Sequence, residues 1–126
     1  MCRVEDRYAR RLEDKVCART NAALMLAQLG DSDTARQELE ASMKDGDIVK
    51  MDTCAALAAL YYAAGSLELA NETWATGCSN SAVVCGKYRD REWLERSQHW
   101  PPVMLEYVTG FLANQRSGPS TTSALA

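Results

Sequence analysis

Two stretches of the chain carry the same alternation of small, large and polar positions at an offset of 35 residues. Residues 17–44 read CARTNAALMLAQLGDSDTARQELEASMK, and residues 52–79 read DTCAALAALYYAAGSLELANETWATGCS. Ala23 falls opposite Ala58, Leu26 opposite Tyr61, Gly30 opposite Gly65, Ala35 opposite Ala70, Leu39 opposite Trp74 and Ser42 opposite Gly77. The spacing predicts two helical hairpins. Antiparallel helices approach closely only where side chains are small, so Ala23 with Ala35, and Ala58 with Ala70, mark the crossings. Gly30 and Gly65 supply the positive φ that ends a helix. Asp31 and Ser66 follow as caps for the next one. Leu39 and Trp74 fill the space beside each crossing. The predicted core is therefore Ala23, Leu26, Ala35, Leu39, Ala58, Tyr61, Ala70 and Trp74.

The flanks read as covers for these hairpins. Arg3–Lys15 places Val4, Tyr8, Leu12 and then Val16 at helical spacing, which predicts an N-terminal capping helix. Asp90 can cap a short helix carrying Trp93 and Leu94. Trp100-Pro101-Pro102 must break it, and Pro102 suits the first turn of a last helix. Met104, Tyr107, Val108, Phe111, Leu112 and Gln115 form the inward stripe of that helix. The reading is an all-α fold of five to seven helices, with a helical domain over 1–115 and a flexible tail over 116–126. Small and large residues around a glycine turn at this spacing are the tetratricopeptide pattern, here with two repeats. The alternative is a plain helical bundle without a repeat.

Composition narrows the classes without choosing among them. A chain of 126 residues with 47% hydrophobic and 25% charged residues is one ordinary globular domain. The nearly apolar run from Cys54 to Gly65 has 12 residues, whereas a membrane span needs about 20. The first residues, MCRVEDRYARR, are charged where a secretory signal is apolar. A net charge of −3 and a pI near 5.1 disfavour binding of nucleic acid through general basicity. The charge is uneven: +2 over residues 1–19, −6 over 20–86 and +1 over 87–126. An acidic middle between basic ends suggests polar partner contacts, or simply solvated helix faces.

The second half of the chain is more distinctive. Ala59-Leu60-Tyr61, Trp74, the pair Cys78 and Cys85, Tyr88, Asp90, Trp93-Leu94, Trp100-Pro101-Pro102, Met104 and Phe111-Leu112 follow one another in order. This succession resembles the thylakoid-lumen tetratricopeptide proteins of plant and algal chloroplasts. The resemblance implies a helical-repeat scaffold in the thylakoid lumen, peripheral to the photosynthetic membrane, with protein subunits of a thylakoid complex as partners. It implies no enzymatic activity. It also implies that Cys78 and Cys85 bracket a loop, where a disulfide in an oxidising compartment would staple the second hairpin to the Trp-Pro-Pro segment.

Candidate chemistry is sparse. Five cysteines are an odd number, so at least one is free or paired between chains. Cys2, Cys17 and Cys54 fall on helices, the last two as small buried residues. A zinc site from Cys78, Cys85 and His99 lacks a fourth ligand at close spacing. His99, the only histidine, precedes Trp100 at a helix end and reads as a cap or a packed polar residue. No nucleophile elbow, Walker loop, dinucleotide glycine pattern or paired metal carboxylates occur. Neither catalysis nor a cofactor is expected.

Two partner-contact zones are expected instead. One is the concave face of the repeats around Leu24, Gln28 and Tyr62, suited to an apolar segment. The other is a charged rim of Arg89, Arg91 and Arg96 beside Trp100, facing acidic loops or anionic headgroups, with Asp90, Glu92 and Glu95 as local counter-charges. The leading expectation is a non-catalytic peripheral subunit of a photosynthetic complex, namely a photosystem. A transient assembly factor and a thiol-redox protein using Cys78 and Cys85 are the alternatives.

Overall fold

A computed structural model describes residues 11–45, 50–80 and 82–117. Seven helices account for these residues, and no strand occurs among them: α1 (Arg11–Gln28), α2 (Ser32–Asp45), α3 (Met51–Ala63), α4 (Leu67–Asn80), α5 (Ala82–Lys87), α6 (Arg91–Arg96) and α7 (Pro102–Ser117). The all-α expectation holds. Cys2, Tyr8 and residues 118–126 of the expected tail lie outside the described residues.

The hairpins α1–α2 and α3–α4 turn in the same way. Gly30 has φ 96° and Gly65 φ 88°. In the first turn the Asp31 amide donates to Leu26 O at 2.9 Å and the Gly30 amide to Ala27 O at 3.0 Å. In the second, Ser66 donates to Tyr61 O at 2.8 Å and Gly65 to Tyr62 O at 3.0 Å. These are the paired bonds that satisfy the last carbonyls of a helix when a glycine adopts the left-handed region. Asp31 Oδ1 then accepts from the Thr34 amide at 3.2 Å and starts α2. The crossing residues Ala23, Ala35, Ala58 and Ala70 are fully buried, as are Leu39 and Trp74, while Leu26 and Tyr61 pack half-buried at the edge.

α3 is the central element. Ten consecutive residues, Met51–Leu60, are buried. A helix apolar on all sides must be covered on all sides, and here α1, α2, α4 and α7 surround it. The polar Thr53 within it bonds Thr20 of α1 at 2.8 Å, and Thr20 in turn donates to Val16 O at 2.9 Å. Both hydroxyls are thereby satisfied without water.

Three local expectations are corrected. No separate helix ends near Lys15: α1 runs unbroken from Arg11 through Val16, because no glycine or proline interrupts it. The segment between Cys78 and Cys85 is mostly helical, with Cys78 in the last turns of α4 and Cys85 within α5. α7 continues to Ser117, two residues into the segment read as tail. Its start at Pro102 and the capping of α6 by Asp90, which accepts from the Trp93 amide at 3.2 Å, agree with expectation.

Candidate functional site

The residues of the C-terminal signature gather around one buried carboxyl group. Asp52 lies in the first turn of α3 and is 3% exposed. Its Oδ1 accepts from Tyr88 Oη at 3.0 Å and from Trp100 Nε1 at 3.2 Å. Oδ2 is buried without a hydrogen-bond partner among the described residues. Burial raises the Asp52 pKa above the usual carboxylate range, and the two donated hydrogen bonds offset this only in part. Both donors converge on one oxygen of the carboxyl and leave the other without a partner among the described residues. Burial and the neighbouring carboxyl also raise the Tyr88 pKa.

Local structure delivers the two donors. The Cys78–Cys85 disulfide joins α4 to α5, with Cα atoms 4.9 Å apart, and Tyr88 follows directly after α5. Trp93 of α6 meets the Tyr88 ring edge-on at 5.0 Å, and Trp100 lies 6.3 Å from it. Beyond α6 the chain reverses at His99, which is exposed and has φ 57°. That left-handed residue, unusual for a side chain with a Cβ, turns Trp100 inward, and the Trp100 amide donates to Leu94 O at 3.0 Å. Pro101 precedes α7, which starts at Pro102.

The expected concave contact zone is corrected. α7 lies along α3 and α1 and covers that face. Leu24 is 1% exposed and belongs to the core. Gln28 Oε1 accepts from the Val103 amide at 2.9 Å, which ties the end of α1 to the start of α7. Tyr62 is half-buried, its ring 6.0 Å from Phe111, which also meets Trp74 edge-on at 5.7 Å. Trp100 is likewise interior and is no part of a contact surface. An amphipathic helix from the same chain occupies the groove where an external segment was expected.

The charged rim stands on the outside of the Asp52 assembly. Arg89, Arg91 and Arg96 are exposed. Arg89 places its guanidinium 5.3 Å from the centre of the Trp74 ring, and Lys87 its ammonium 6.0 Å from that of Trp93. Arg96 pairs with Glu92 at 3.4 Å on the solvent side. Two of these cations are thus held against aromatic faces while their charge remains at the surface.

Asp52 is a site residue that the sequence does not single out. Its signal was a lone acid at the head of an otherwise apolar segment. Cys17 and Cys54 are both buried, as expected; Cys54 is a free thiol and Cys17 is disulfide-bonded. Among the described residues no three His, Cys, Asp or Glu side chains group to hold a metal ion, and no helix is long and apolar enough to cross a membrane. A second polar contact lies between α2 and α3, where Tyr61 Oη donates to Glu40 Oε2 at 2.7 Å. Burial and the Glu40 carboxylate push the Tyr61 pKa up to about 12. Set against protein-family models, curated proteins and solved structures, the chain matches none of them.

Proposed function

We propose that this chain is a non-catalytic interaction scaffold of the two-repeat tetratricopeptide type that meets its partner through the rim formed by Lys87, Arg89, Arg91 and Arg96. The observation that carries the reading is the exposed cationic rim on a braced support. Arg89 and Lys87 rest on Trp74 and Trp93, and beneath them the disulfide and the Asp52 hydrogen bonds fix α5 and α6 to the hairpins. A surface whose charges are held in place loses less side-chain freedom when a partner arrives. The identical turn bonds at Gly30 and Gly65 support the repeat assignment. The partner this chemistry fits is an acidic protein surface.

The lumenal setting, and a peripheral position on a photosynthetic complex such as a photosystem, rest on the resemblance of the C-terminal signature, with which the Cys78–Cys85 disulfide is compatible. Gradient fractionation of gently lysed thylakoids tests this reading. A peripheral subunit co-migrates with one complex and is released by moderate salt, because rim charges are screened. An Arg89→Ser, Arg91→Ser, Arg96→Ser variant should fold and fail to co-migrate. Recovery of the native chain free of any complex at low salt overturns the subunit reading and favours a transient assembly factor.

A further inference from the structure

Three sulfur atoms converge where α2, α3 and α4 meet. Cys54 Sγ lies 3.9 Å from Met43 Sδ of α2. Met51 stands three residues before Cys54, on the same face of α3. Both α3 sulfurs flank Gly77 of α4: a Cβ at that position would sit 2.6 Å from Met51 Sδ and 3.3 Å from Cys54 Sγ. The absence of a side chain at Gly77 is what lets α4 close over the pair. Cys54 is fully buried and carries a free thiol, while the other cysteines among the described residues are in disulfides.

We propose that Cys54, Met43 and Met51 form a binding site for a soft monovalent metal ion of the copper(I) or silver(I) class. One thiolate and two thioethers are a soft donor set, which magnesium and calcium, as oxygen-seeking ions, do not take; zinc accepts the thiolate but completes its shell with further thiolate, imidazole or carboxylate rather than thioether. The spacing is suitable: with metal–sulfur bonds of about 2.3 Å, three sulfurs around one ion stand roughly 4 Å apart. Cys54 and Met43 already have that separation, and methionine has the rotamer freedom to complete the third contact. Charge selects the ion as well. Cys54 is fully buried, and the six residues after it on α3, Ala55–Leu60, are all alanine or leucine, so a monovalent cation on one thiolate is neutral overall, whereas a divalent ion would leave a buried net charge.

The site also has a way in. Met43 is half-buried and lines an open cleft of about 410 Å³ together with Glu40, Lys44, Leu57, Tyr61 and Thr73. Met43 thus borders the cleft while its sulfur lies beside the thiol. Binding replaces the S–H bond of Cys54 with a metal–sulfur bond and releases one proton to the solvent. No electron is transferred.

Silver(I) is the redox-inert probe, added to the full chain with its disulfides intact in chloride-free buffer. Native mass spectrometry should find one ion per chain. With methionine methyl groups labelled in carbon-13, the Met43 and Met51 signals should shift on binding while those of Met25 and Met104 stay. Met43→Leu and Met51→Leu conserve volume and should each weaken silver binding tenfold or more, and Cys54→Ala should abolish it. Far-UV circular dichroism checks that the variants remain folded. Absence of binding by the native chain overturns the proposal. So do unmoved Met43 and Met51 signals, or unchanged affinity in both leucine variants, which would mean that a thiol alone holds the ion.

Discussion

Trp100 Nε1 donates to Asp52 Oδ1 at 3.2 Å across 48 positions of sequence. With Tyr88 on the same oxygen, this bond joins the head of the central helix to the segment where the chain breaks before its last helix. The two donors are a phenol and an indole, so no cation pairs with this carboxyl, and burial raises its pKa. Such a group links stability to pH with a definite sign. The folded state holds the Asp52 proton above pH 3.8, the ordinary value at which the unfolded chain gives it up. The Asp52 contribution is therefore complete below about 3.8 and declines as pH rises toward the raised folded value, at up to about 1.4 kcal/mol per pH unit. Urea titrations between pH 4 and 7 should show the native chain losing stability relative to Asp52→Asn as pH rises. A constant difference between the two would mean that Asp52 ionises normally.

Gly77 and Gly86 provide a paired test of helix packing. A Cβ at Gly77 would lie 2.8 Å from Cys54 Cβ, which sits on the buried helix and cannot swing aside. Gly77→Ala should cost about 1–3 kcal/mol by overpacking. At Gly86, in α5, nothing lies within 4 Å of the added carbon. Gly86→Ala should stabilise the protein by about 0.5–1 kcal/mol through helix propensity alone. Thermal melts of both variants check this contrast.

His99 occupies the left-handed region at φ 57° and is exposed, so its strain has no compensating contact through the ring. His99→Gly should gain up to about 1 kcal/mol, the relief of the Cβ clash less the extra entropy of an unfolded glycine. A loss of stability in chemical denaturation would show that the imidazole itself supports the turn.

Removal of the Cys78–Cys85 bridge, as the double serine variant, should lower stability by about 2–3 kcal/mol, the loop-closure value for so short a ring. Because α5 carries the chain to Tyr88, the fluorescence of the tryptophans around Tyr88 should change with it. An unchanged emission spectrum would separate the bridge from the Asp52 assembly.

Residue chemistry made some of this legible and hid the rest. Gly30, Gly65, Asp90 and Pro102 act within a few residues of themselves, through φ or through one local hydrogen bond, so their positions announced the turns, the cap and the restart of the chain. Ala23, Ala35, Ala58 and Ala70 announced the crossings because only small side chains permit them. The stripe on α7 said which of its faces is buried but not what buries it. Sequence alone therefore places Leu24 and Tyr62 on an open groove, whereas α7 fills it. Asp52 was obscure for a related reason: an acid at a helix start reads as an exposed favourable charge, and only the distant Tyr88 and Trp100 reveal it as interior.

The enclosure of α3 also bears on the order in which the chain can assemble. The pairs α1–α2 and α3–α4 close through turns of a few residues, at small entropic cost. α7 must instead cross back over some 75 positions to meet Gln28, and its seat exists only once α1 and α3 lie side by side. Two rapidly formed hairpins should thus precede a slower closure that seals the Met51–Leu60 run. Until that closure, the most apolar helix of the protein remains open on one side, and this is the interval in which a nascent or refolding chain is most exposed to aggregation. In the finished fold the same helix should hold its amide protons longest, exchanging them only when the whole domain opens.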